Sequence, residues 1–138
     1  MFDELKNYKN NGHFFFKSGN SLKDVSKDVP DLPGVYYIIR LASGRVELVY
    51  IGKSGSIEQD GQFNKQGLRG GLNNKQGVLQ RQDYFEKKFR EENIDGLDIY
   101  WFVTFDKTNR DLPGYVEGLI TQIYFERHGS LPAWNNSF

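Results

Sequence analysis

The stretch from Gly34 to Gly52 constrains this chain more than any other. Gly34-Val35-Tyr36-Tyr37-Ile38-Ile39-Arg40 is a run of β-branched and aromatic residues and reads as a strand. Ser43-Gly44 is a turn signal, a second strand follows from about Val46 to Ile51, and Gly52 ends it. Together they predict a β-hairpin. An antiparallel hairpin sets the start of its first strand beside the end of its second. Tyr36 and Tyr50 are therefore expected on one rim of a sheet, where two phenols can hold a water or a phosphate oxygen. Tyrosines are also ordinary packing residues in strands, so the pair gains meaning only from its surroundings.

The rest of the chain supplies a compact frame. Residues 2–10 fit a short helix with Phe2, Leu5 and Tyr8 on one side. His13-Phe14-Phe15-Phe16 reads as a strand or a core plug, and Ser21 fits the cap of a helical turn through Val25. After a glycine- and amide-rich loop over 54–67, short helices are expected from Leu68 to Leu72 and from about Val78 to Glu92. Residues Leu97 to Phe105 make a third strand, interior by its hydrophobicity. The last helix opens at Pro113, which suits a first helical turn, and stops at Gly129. Its apolar face is Val116, Leu119, Ile120, Ile123 and Tyr124. The tail through Trp134 is too aromatic for a loose end. The order predicts an α+β fold, a small three-stranded antiparallel sheet flanked by helices. Residues 1–32 form an N-terminal extension packed on a core domain of 33–138.

With 138 residues and no cysteine, disulfides, cysteine-bound zinc and thiolate nucleophiles are all excluded. No apolar run approaches the roughly 18 residues of a membrane span. The acidic opening Met1-Phe2-Asp3-Glu4 is unlike a secretory signal. The expectation is a soluble cytoplasmic protein with no membrane partner. Net charge is zero, from 18 basic and 18 acidic residues, yet its distribution is uneven. Between residues 61 and 90 seven basic residues face only two acids, Asp83 and Glu86. Eight Asn and Gln residues share that stretch. Long amides with Arg and Lys are the types that read base edges and hold phosphates. Lys65, Lys75, Arg81 and Lys87 are the candidate nucleic-acid contacts, against the alternative of a solvated helical surface.

Single residues point the same way. Lys53 follows Gly52 at the strand end, where it can meet a phosphate. Arg69 precedes two glycines, each costing a helix about 1 kcal/mol relative to alanine, which implies close packing or a close ligand. An arginine there can clamp a phosphate bidentately. Glu117 sits at the edge of the last helix's apolar stripe, where a carboxylate needs a cation, a metal or a donor. One carboxylate with waters and a phosphate oxygen makes a Mg²⁺ site. His13 and His128 lack metal-ligand spacing and read as structural.

Taken in order, these residues resemble the GIY-YIG nuclease family. Gly34-Val35-Tyr36 resembles its first signature element and Tyr50-Ile51-Gly52 reproduces the second. Lys53 matches the basic residue that often follows. Arg69 resembles the family's arginine, Glu117 its metal-binding glutamate, and Pro132-Ala133-Trp134-Asn135 its closing element. The resemblance covers about residues 33–136. It implies a metal-dependent DNA endonuclease using Mg²⁺ or Mn²⁺ on Glu117. Tyr36 would act as general base or orient the attacking water, Tyr50 and Arg69 would hold the phosphate, and Asn135 would support the site. The gap from Gly52 to Arg69 is long for that family, which keeps Arg81 as the alternative arginine. Asn73 stands where many members carry His or Tyr. The length suits a self-contained, restriction-like enzyme, acting alone, as a homodimer or with a partner protein. The alternative from another class is a nucleic-acid-binding or interaction module of the same fold with weak or no activity.

Overall fold

The computed structural model describes residues 1–63 and 66–138. Its centre is a four-stranded antiparallel sheet in the order β1-β6-β2-β3. The strands are β1 (Asn11–Phe16), β2 (Gly34–Ala42), β3 (Arg45–Ser54) and β6 (Gly96–Val103). A separate two-stranded ribbon, β4 (Lys75–Gln76) with β5 (Leu79–Gln80), stands apart from it. The helices are α1 (Leu22–Val25), α2 (Leu68–Leu72), α3 (Arg81–Glu92) and α4 (Pro113–His128). The α+β class matches the expectation, but the strand count does not.

The fourth strand is β1, the run containing His13-Phe14-Phe15-Phe16. It pairs with β6 from Asn11↔Phe102 to Phe16↔Leu97. Without it β6 would be an edge with unpaired backbone groups, a costly arrangement for so apolar a strand. The expected helix over 2–10 shrinks to one 3-10 turn, Asp3–Leu5, because the chain extends into β1 at Asn11. Phe2, Leu5 and Tyr8 are nevertheless buried. The helix expected from about Val78 begins at Arg81 instead, because Gly77 turns the chain at φ +64 and residues 75–80 pair as a ribbon.

Helices cover both faces of the sheet. One core gathers Phe16, Tyr36, Ile38, Val49, Leu72 and Phe85 with Trp134 of the tail. The other joins Val35, Tyr37, Ile39 and Ile51 to Val116 and Ile120 of α4 and to the N-terminal Phe2, Leu5 and Tyr8. Two-sided burial explains why β2 reads as a continuous apolar run rather than an alternating one. Its first six residues are all buried. Residues 1–32 thus contribute a strand to the sheet and side chains to both cores. No described helix is long and apolar enough to cross a membrane.

Candidate active site

The hairpin of β2 and β3 turns at Ser43-Gly44, both with positive φ (53° and 74°). That is the backbone of a type I′ turn, which fits the strands' right-handed twist. Ala42 pairs with Arg45 and Ile39 with Leu48. Continued unbroken, this register would set Tyr36 opposite Ile51 and Tyr50 opposite Tyr37. Tyr36 and Tyr50 would then point to opposite faces, since partners across a ladder share a face. The register shifts between Ile38 and Ile39. Val49 is the extra residue, and beyond it Ile38 pairs with Tyr50 and Tyr36 with Gly52. The bulge is what puts both tyrosines on the face covered by α3.

Gly52 makes the meeting close. A Cβ there would lie 2.7 Å from Cζ of Tyr36 and 2.8 Å from a ring carbon of Tyr50, so any larger residue would displace the rings. The ring centroids are 6.0 Å apart. Tyr36 is 2% exposed and Tyr50 is half-buried. Burial, reinforced by neighbouring Tyr36 and only partly opposed by Arg81, pushes the Tyr50 hydroxyl up to about 12. At neutral pH Tyr50 is therefore a proton donor and not a phenolate.

Over both rings lies Arg81, the first residue of α3. Its guanidinium donates to the Tyr36 hydroxyl at 2.8 Å. It sits 5.4 Å from the Tyr36 ring centroid and 5.5 Å from that of Tyr50, within cation–π range of both. Arg81 is 4% exposed. Among the described residues it has no ion-pair partner, and its Nε has no hydrogen bond. A buried cation without an anion is costly. Two tyrosine faces soften that cost without cancelling it.

Arg69, favoured from its place at the start of a helix, lies exposed on α2. No side-chain hydrogen bond, ion pair or ring contact among the described residues joins it to either tyrosine. Asn73 caps the same helix, donating from its amide to Ser26 Oγ (3.0 Å) and to the Arg69 carbonyl (2.9 Å). Its role there is structural.

The acid comes from the other face. Glu117 lies in the second turn of α4 and is half-buried. Burial raises its carboxyl above the ordinary carboxylate range, and nearby Lys53 opposes the shift. Lys53 is exposed and runs along the first turn of α4, with its Cε 3.9 Å from where a Gly114 Cβ would be. Among the described residues no cation pairs with Glu117 within 4.0 Å. The charge of Glu117 is felt at the Tyr50 hydroxyl, as is that of Arg81. Tyr50, on the edge strand β3, is thus the residue on which both halves of the site act.

Asn135 stands behind the site. Its side chain accepts from the Ile51 N–H (3.0 Å) and donates to the Ile51 carbonyl (2.9 Å). The Trp134 N–H donates to the Val49 carbonyl at 2.8 Å. The tail thereby completes the outer edge of β3 beside Tyr50, a role no sequence pattern announced. Of the expected nucleic-acid contacts, Lys75 is exposed on the ribbon and Lys87 is exposed on α3, 3.9 Å from Glu91. Arg81 is buried in the site, and Lys65 lies outside the described residues.

The donor set fits one hard divalent cation. No cluster of three or more His, Asp or Glu side chains is found among the described residues. Mg²⁺ does not need one, because it takes one or two carboxylates and completes its shell with waters and substrate phosphate. No family model matches this chain, and neither a curated protein nor a solved structure matches it.

Proposed function

We propose that this chain is a metal-dependent endonuclease of the GIY-YIG type that hydrolyses DNA phosphodiester bonds. The observation that carries the reading is Arg81. It is a buried guanidinium with no carboxylate partner among the described residues, lying over two tyrosines, one of which also feels the charge of the half-buried Glu117. A group so arranged lacks an anion, and a phosphodiester supplies one in bidentate geometry. Arg81, not Arg69, is accordingly proposed as the phosphate-binding arginine.

The chain's own groups divide the work. Arg81 holds the scissile phosphate and neutralises charge as it builds in the transition state. Tyr36 accepts from Arg81 and orients the attacking water, whose proton passes to bulk solvent. Tyr50, a neutral phenol, donates to a phosphate oxygen. Lys53 adds positive charge at the strand end. Asn135 holds the backbone of Ile51 and so the place of Tyr50. Glu117 would hold Mg²⁺ or Mn²⁺, which when bound polarises the phosphoryl oxygen and stabilises the leaving oxygen. Arg81 and Lys53 outweigh Glu117 in charge, which suits an anionic substrate.

The test is cleavage of supercoiled plasmid with Mg²⁺ or Mn²⁺, beside Glu117→Ala. Wild type is expected to cut, and chelator to stop it. The variant is expected to lose about 10²-fold or more. Discrete bands would mark a restriction-like enzyme. No cleavage with either metal would overturn the reading in favour of a binding or interaction module.

A further inference from the structure

The ribbon of β4 and β5 ends on Arg81. Lys75 pairs with Gln80 and Gln76 with Leu79, leaving Gly77-Val78 as a two-residue turn. Gly77 has φ +64 and Val78 does not share a positive φ, the pattern of a type II′ turn. Such a turn requires glycine first and makes no demand for an aliphatic residue second. Yet Val78 is 92% exposed at the tip. One exposed valine is ordinary by itself. Its setting is not.

The base of the ribbon is fixed to the core. The Arg81 N–H donates to the Asn74 carbonyl at 2.9 Å, closing the ribbon. Asn73, just before it, is tied to the buried Ser26. The residue that ends the ribbon is Arg81 itself. Val78 is three residues from Arg81, so their Cα atoms are at most about 10 Å apart. A duplex with one phosphate at Arg81 therefore has base edges within reach of the tip. The major groove, about 12 Å wide, admits a two-stranded ribbon. The exposed flanks are Lys75 and Gln80, types that pair with guanine and adenine edges, and the valine methyls suit a thymine methyl. Lys75, exposed on the ribbon, supplies positive charge there.

We propose that the β4–β5 ribbon enters the major groove and reads bases within about half a turn, five base pairs, of the cut. Val78, Lys75 and Gln80 are the specificity-determining residues. This rests on the nuclease reading above.

Two measurements test it apart from that reading. Because the chain has no cysteine, Val78→Cys accepts a photo-crosslinker at one site. Arg45→Cys, at the exposed β2–β3 turn, is the control. Both are irradiated with a randomised duplex pool and Ca²⁺. Separately, the cut ends left by wild type, Val78→Ser and Gln80→Ala with Mg²⁺ are sequenced. The Val78 label is expected to crosslink bases near the cut, well above the control. The variants are expected to keep cutting, while base preference within five pairs of the cut weakens about fivefold or more. Cutting with unchanged preference and no excess crosslinking would overturn the ribbon's role and leave the nuclease standing. Crosslinking to DNA without cleavage by wild type would keep the ribbon as a DNA contact and remove the nuclease. Neither crosslinking nor cutting would remove both.

Discussion

At the scale of single residues, Arg81 carries opposite consequences for stability and for function. Its guanidinium is buried, bonded to Tyr36 and paired with no carboxylate among the described residues. Replacing a buried unpaired charge with an apolar side chain of similar size is neutral or stabilising. Losing the bond to Tyr36 offsets about 1 kcal/mol of that. In phosphate-free buffer Arg81→Met is therefore expected to keep or slightly raise the melting temperature. Cleavage should fall about 10²-fold or more. Phosphate or a short oligonucleotide should raise the melting temperature of wild type but not of the variant. Thermal unfolding with and without phosphate decides it. A variant that melts much lower and still responds to phosphate would mean that Arg81 is a packing residue and the anion binds elsewhere.

At the scale of elements, the edge of β3 shows what the sequence could and could not convey. The turn at Ser43-Gly44 was readable, because two positive φ values need such residues. The bulge at Val49 was not, since the Val49 carbonyl is met by the backbone N–H of Trp134 from the far end of the chain. Both tyrosines were identified, but their common face comes from that bulge. Arg69 and Arg81 could not be separated in the sequence for a similar reason. The ribbon of residues 75–80 lies between them, and only its folding shows which helix start reaches Tyr36. Glu117 was legible as a carboxylate on an apolar stripe. Asn135 was expected to support the site, and the contact the fold gives it is that of a strand partner to Ile51. Asn135→Asp turns the donor to the Ile51 carbonyl into an acceptor, costing about 1–3 kcal/mol. Faster hydrogen exchange at the amides of 49–51 and weaker cleavage are expected together. Weaker cleavage with unchanged exchange would instead place Asn135 in direct contact with the substrate.

At the scale of the whole molecule, closing both faces of one sheet puts tyrosines into both cores. Tyr50 and Tyr37 are each pushed up to about 12, mainly by burial, and Tyr8 is raised further by burial and its bond to Asp111. In the unfolded chain a tyrosine ionises near 10. A folded value above the unfolded one favours the protonated, folded form. That contribution is complete below pH 10 and is lost as pH rises from about 10 through about 12. The melting temperature is therefore expected to fall steeply above pH 10. Tyrosinate absorbance from the buried residues should appear together with unfolding rather than before it. Tyr37→Phe removes one such group and should flatten the fall, whereas Tyr115→Phe, at an exposed tyrosine, should not. The two traces are read in one alkaline titration followed by absorbance and circular dichroism. If all eight tyrosines ionised near pH 10 with the fold intact, the two-sided closure of the sheet would be wrong, and with it the buried setting on which the Arg81 site depends.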